Sequence, residues 1–170
     1  GQLDASVEAY NKALAIKPDY AEAYNNMGVT LQEQDKLEEA IEAYNKSLAI
    51  MPDNAEAYNN MGITLKEQDK LEEAIETYNK ALAIKPDYAE AYNNMGNALK
   101  EQGKLEEAIE AYNKALAIKP DNAEAKINLA ETLKIYSPKN NHRSPLINLD
   151  NEIKAKHNKH ALPKIDQELA

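Results

Sequence analysis

Pro86-Asp87-Tyr88-Ala89-Glu90-Ala91-Tyr92-Asn93-Asn94-Met95-Gly96 is one register of a repeat. Nearly the same words begin at Pro18 and Pro52, and a shortened version, Pro120-Asp121-Asn122-Ala123-Glu124-Ala125, follows. Each proline stands 34 residues from the next. A fixed period of that length marks an array of stacked units that grows by addition and has no single globular core.

Working outward from this stretch, residues 1–20 form the second half of a unit, with Leu3, Val7, Tyr10, Ala13, Leu14 and Ile16 at helical spacing. Complete units follow at 21–54, 55–88 and 89–122, and residues 123–136 form a final first-half helix. Within each unit the spacing predicts two helices. The first carries Tyr58, Met61, Gly62 and Leu65 on one face, and Asp53 with Glu56 three residues on, like Asp87 with Glu90, predicts an Asp cap and capping box. Asp69-Lys70, or Gly103-Lys104 in the next unit, separates the halves. The second helix carries Leu71, Ala74, Ile75, Tyr78, Ala81, Leu82 and Ile84 and ends at Pro86, which cannot continue the bonding ladder. Gly28, Gly62 and Gly96 recur inside a helix, where glycine costs about 1 kcal/mol against alanine. The recurrence predicts a close helix approach, with Ala74 and Ala81 as the facing small surface.

Composition agrees with an all-α chain, with few glycines, no Phe or Trp, and packing left to Leu, Ile, Ala, Met and ten Tyr. Cysteine is absent, which excludes disulfides, thiol catalysis and Cys-ligated metal. The net charge is −9. Residues 137–170 carry +2, so the repeats carry −11. An acidic array is a poor match for the phosphate backbone, and the expectation is no nucleic acid. No apolar run approaches the ~20 residues of a membrane span, so no membrane partner is expected.

These residues resemble the tetratricopeptide (TPR) signature. Tyr24, Met27-Gly28, Leu31, Ala40, Tyr44, Ser47 and Pro52 carry it. Tyr58, Met61-Gly62, Leu65, Ala74, Tyr78, Ala81 and Pro86 carry it again, as do Tyr92, Met95-Gly96, Leu99, Ala108, Tyr112, Ala115 and Pro120. Ser47 replaces an alanine of the pattern, and Asp35 and Asp69 replace the inter-helix glycine kept at Gly103. The resemblance covers residues 1–136. It implies a right-handed superhelical solenoid of antiparallel helix pairs, the first helices lining a concave groove that binds other proteins.

The helical wheel opposite Tyr58, Met61 and Leu65 collects Glu56, Asn59, Asn60, Ile63, Lys66 and Glu67, with counterparts in the neighbouring units. The candidate peptide-binding residues are therefore Asn25, Asn26, Val29, Asn59, Asn60, Ile63, Asn93, Asn94, Asn97 and Asn128. Asn26, Asn60, Asn94 and Asn128 form a column of amides, each offering an acceptor and donors to a peptide backbone. Helices ~10 Å apart match three residues of extended chain at ~3.3 Å each. Val29, Ile63 and Asn97 vary and set side-chain preference. The column resembles the ladder in the TPR arm of O-linked GlcNAc transferases, which implies a substrate-recruiting arm of a larger enzyme as the alternative to a free-standing scaffold. The chaperone-binding TPR pattern, with basic residues clamping a terminal carboxylate, fits poorly. Its positions are Asn25, Asn60, Glu90 and Asn94 here, and Glu90 repels a carboxylate.

The expected function is non-catalytic binding of a protein or extended peptide of neutral to basic character, with no cofactor, no metal and the cytoplasm as compartment. His157 and His160, two of three histidines, stand at helical spacing without a third ligand, and a solvated basic helix is the better account. In residues 137–170, Ser144-Pro145 reads as a helix start and Leu146, Leu149 and Ile153 as one apolar face. A C-terminal capping helix is expected there, with a groove-filling tail as the alternative. If the tail instead leaves the last edge open, the unpaired end helices predict end-to-end self-association, with residues 3–16 of one molecule completing the final unit of another.

Overall fold

The computed structural model describes residues 1–136, which form eight α-helices and no strand among the described residues. They are α1 (Gln2–Ile16), α2 (Ala21–Glu33), α3 (Leu37–Ile50), α4 (Ala55–Glu67), α5 (Leu71–Ile84), α6 (Ala89–Glu101), α7 (Leu105–Ile118) and α8 (Ala123–Ile135). The even-numbered helices (A) and the odd-numbered ones (B) alternate. The capping helix and the histidines expected in 137–170 lie outside the described residues.

Each A helix packs on the B helix that follows it: α2 on α3, α4 on α5, α6 on α7. Each B helix then rests on the A helix of the next repeat. The tyrosine in the middle of the B helix anchors both contacts, and Tyr44, Tyr78 and Tyr112 are fully buried beside Ala40, Ala74 and Ala108. The recurring glycine faces this ring. A Cβ at Gly62 would stand 2.5 Å from Cε1 of Tyr78, and Gly28 and Gly96 meet Tyr44 and Tyr112 in the same way. The expectation that Ala74 and Ala81 form the surface facing Gly62 is corrected: both alanines are buried, but the close approach is of the Gly62 backbone to the Tyr78 ring.

The turn between the helices of a unit is a Schellman motif. Lys70 N–H donates to the Leu65 carbonyl (2.9 Å) and Asp69 N–H to the Lys66 carbonyl (2.9 Å). The motif demands a left-handed residue, and Asp35 (φ 60°), Asp69 (φ 60°) and Gly103 (φ 76°) supply it.

Helix starts differ from expectation by one residue. The N-cap of α4 is Asn54, whose Oδ1 accepts from Ala57 N–H at 3.1 Å, and that of α8 is Asn122, which accepts from Ala125 N–H at 3.1 Å. Asp53 and Asp87 lie one residue outside the cap, so the spacing to Glu56 and Glu90 makes no capping box. At α2 and α6 the cap position holds Tyr20 and Tyr88, which make no capping hydrogen bond.

Successive A helices approach one another, α2 to α4, α4 to α6 and α6 to α8, whereas no such approach links α1 to α3, α3 to α5 or α5 to α7. A stack closer on one side than the other must curve, and here the A helices form its inner wall.

Candidate functional site

The inner wall is built from one A helix per repeat. At 3.6 residues per turn, Glu22, Asn26, Val29 and Glu33 of α2 share a face, as do Glu56, Asn60, Ile63 and Glu67 of α4 and Glu90, Asn94, Asn97 and Glu101 of α6. The carboxylates are exposed, while Val29, Asn60, Ile63, Asn94, Asn97 and Asn128 are half-buried and Asn26 is exposed.

Two adjacent asparagines cannot both centre on one face, because they point about 100° apart. Asn25, Asn59 and Asn93 turn toward the following repeat and are buried, at 5%, 0% and 2% exposure. Asn60, Asn94 and Asn128 turn toward the preceding one and donate to them. Asn60 Nδ2 reaches Asn25 Oδ1 at 3.3 Å, Asn94 Nδ2 reaches Asn59 Oδ1 at 3.1 Å, and Asn128 Nδ2 reaches Asn93 Oδ1 at 3.1 Å. The buried amides pass the pattern on, Asn59 Nδ2 to Glu90 (3.4 Å) and Asn93 Nδ2 to Glu124 (2.9 Å). Buried amides need such partners, and here they are drawn from the next repeat.

This divides the sequence-derived candidates. Asn25, Asn59 and Asn93 are corrected from open-face residues to inter-repeat fasteners, since their side chains are enclosed between helices. Asn60, Asn94 and Asn128 spend one donor on the ladder, and their Oδ1 atoms accept no hydrogen bond among the described residues. Asn26, with no A helix before it among the described residues, stands outside the ladder. In α8 the fastener position holds Ile127, 58% exposed. The recurrence of the Asn-Asn pair was the signal that one partner of each pair faces a neighbouring repeat.

The remaining wall positions break the repeat symmetry. Lys66 Nζ pairs with Glu101 at 3.3 Å and Lys100 Nζ with Glu131 at 3.4 Å, but Gln32 stands in the first copy and donates its amide to both Glu67 oxygens at 3.0 Å. The tyrosine hydroxyls reach the same wall from below. Tyr44 Oη donates to Gln32 Oε1 (3.3 Å) and Tyr112 Oη to Asn97 Oδ1 (2.8 Å), while the Tyr78 hydroxyl has no partner among the described residues. Ile63 stands where Asn97 would accept, and Lys66 is a donor where Gln32 accepts. Burial pushes all three hydroxyls up, Tyr112 to about 12, and nearby wall carboxylates add to the rise at Tyr78, with Glu101 foremost.

The family model described as tetratricopeptide repeat matches residues 19–87 and 53–121, and a second, described as TPR repeat, matches residues 1–35. The chain belongs to the tetratricopeptide repeat family. Among solved structures it is similar to the first TPR of Spaghetti (RPAP3) bound to the HSP90 peptide SRMEEVD, at 30% identity and TM-score 0.65, covering 67% of this chain and 90% of that one. It is also similar to MamA, at 26% identity and TM-score 0.68 with 92% of each chain covered. The TPR domain of Arabidopsis OM64, at 23% identity and TM-score 0.65, covering 68% of this chain and 96% of that one, shows the fold alone. A search of curated proteins gives no match. The fold is thus an all-α superhelical repeat.

Among the described residues no group of three or more His, Asp and Glu side chains is placed to hold a metal ion, and no helix is long and apolar enough to cross a membrane.

Proposed function

We propose that this chain is a non-catalytic scaffold that binds an extended peptide or protein segment along its inner wall. The observation that carries the reading is the row of unengaged Oδ1 atoms on Asn60, Asn94 and Asn128, one per repeat, held in place by the ladder beneath them. Carbonyl oxygens so fixed accept from peptide N–H groups without reading side chains, and pre-organisation lowers the ordering cost of binding. The exposed carboxylates Glu22, Glu56, Glu90 and Glu124 favour a neutral or basic segment. A peptide-bound TPR among the similar structures supports the class of ligand. The acidic wall argues against an acidic peptide such as the one that relative holds.

The test is affinity for peptides selected from a display library on the intact protein. Replacing Asn26, Asn60 and Asn94 together by Ala lowers affinity at least tenfold while circular dichroism remains helical. Replacing Asn45 and Asn79, exposed on the outer B helices, leaves it unchanged. Equal affinities for all three proteins would sink the reading. One asparagine per repeat also supports a second reading, in which the array is the recruiting arm of a larger enzyme; an adjoining catalytic domain in the full reading frame decides between them.

A further inference from the structure

In a chain whose second and third units differ at five positions, departures from symmetry mark where the wall is specialised. Three departures meet around α4. Val29 and Ile63 put apolar surface on the wall, where the third repeat has Asn97 and α8 has Glu131. Gln32 replaces the lysine found at Lys66 and Lys100, so among the described residues Glu67 is hydrogen-bonded but has no cation, unlike Glu101 and Glu131. Tyr78 is fully buried with a hydroxyl that has no hydrogen-bond partner among the described residues, and Ile63, where the third repeat has the acceptor Asn97, packs against the cluster that contains it.

We infer that Val29, Ile63, Glu33 and Glu67 form a subsite for one lysine or arginine side chain of an extended peptide. The methylene stem of such a residue lies on Val29 and Ile63. Its charged head meets Glu67, which lacks the cation that Lys66 and Lys100 bring to Glu101 and Glu131, and Glu33 one repeat earlier. Long basic side chains bury their stems and keep their heads in polar surroundings, which is the chemistry this patch offers. In the third repeat Asn97 stands where Val29 and Ile63 are apolar, and Lys66 and Lys100 pair with Glu101 and Glu131, so the equivalent places lack both the apolar surface and the unpaired carboxylate.

This inference rests on the groove-binding reading, and the experiment separates the two. Three extended peptides, otherwise neutral and identical, carry a central Lys, norleucine or Glu, and binding to the described array with its native tail is followed by fluorescence anisotropy. The Lys peptide binds at least tenfold more tightly than the norleucine peptide, and the Glu peptide binds most weakly. In Gln32→Lys, which gives Glu67 the cation the other repeats have, the Lys preference falls to within about twofold of norleucine while the norleucine peptide still binds. In Ile63→Asn, which copies the third repeat, all three peptides weaken together. Both variants borrow residues the fold already accepts at equivalent positions, and circular dichroism verifies folding. Equal binding of the three peptides, or a Lys preference that survives in Gln32→Lys, overturns the subsite and leaves the groove standing. Failure of every peptide to bind overturns both.

Discussion

The side-chain amide of Asn94 donates to the Oδ1 of Asn59 across the α4–α6 boundary at 3.1 Å, joining a half-exposed residue of one repeat to a fully buried residue of the one before. The same bond recurs at a separation of 35 residues in the two neighbouring boundaries. The ladder therefore contributes to stability, and its proposed part in recognition separates from that role residue by residue.

Asn59→Ala removes an acceptor and a donor from a closed interface and strands the amide of Asn94. A loss of about 1–3 kcal/mol is expected. Asn26→Ala, on an exposed side chain outside the ladder, changes stability by less than about 0.5 kcal/mol. Urea unfolding of the two variants checks the contrast, and equal midpoints would contradict it.

Gly62→Ala forces a methyl against the Tyr78 ring, whose Cε1 stands 2.5 Å from the new Cβ. The ring is fully buried and has no room to retreat. Overpacking of this kind costs about 1–3 kcal/mol, outweighing the ~1 kcal/mol that alanine gains in helix propensity. Thermal unfolding reads the sign directly.

Asp35 and Asp69 hold left-handed backbone at φ 60°, where Gly103 serves in the third repeat. Glycine adopts that region without the Cβ penalty. Asp69→Gly is expected to raise stability by about 0.5–1 kcal/mol, and Asp35→Gly by a similar amount. Conversely, Gly103→Ala destabilises, although a Cβ there meets nothing within 4 Å. Denaturant titration of the three variants tests conformation apart from packing.

Tyr112→Phe deletes the bond to Asn97 and costs about 0.5–1.5 kcal/mol. Tyr78→Phe deletes a hydroxyl that has no partner and is neutral or stabilising. A matching loss in both proteins would show that Tyr78 is satisfied in solution.

Stability also falls at high pH. Burial raises the Tyr112 hydroxyl to about 12, with Tyr44 and Tyr78 raised in the same direction, against an ordinary value near 10. A folded-state value above the unfolded one means the native protein holds its protons longer. The contribution is complete below pH ~10 and is lost as pH climbs through about 12. Unfolding midpoints should be flat with respect to these groups from pH 7 to 9 and drop beyond 10. Absorbance near 295 nm should show the buried tyrosines ionising only as the helices melt.

Much of this molecule was legible from its period of 34. The order of the helices follows from Pro18, Pro52, Pro86 and Pro120 and from apolar spacing, because these signals act within a single helix. What escaped involves two repeats or two helices at once. The Asp53–Glu56 spacing mimics a capping box, yet the chain turns one residue later and Asn54 caps. Gly62 announced a close approach, but only packing reveals that an aromatic ring comes to meet it. The wheel placed Asn59 and Asn60 on one open face because it treats a helix as isolated. Pressing the A helices together buries the first and leaves the second at the rim. The orphaned Tyr78 hydroxyl depends on Ile63 and Lys66, and no local reading of either residue exposes it.

The contrast between touching A helices and separated B helices has a mechanical meaning. The outer helices have no seam along the stack, so a small rotation at each repeat spreads or gathers them while the inner fasteners act as a hinge line. The asparagines lie on that hinge line, so the step between their Oδ1 atoms is the distance such a rotation alters least. For the proposed extended ligand this means a row of acceptors at nearly constant rise, while the outer face of the spring opens and closes around it.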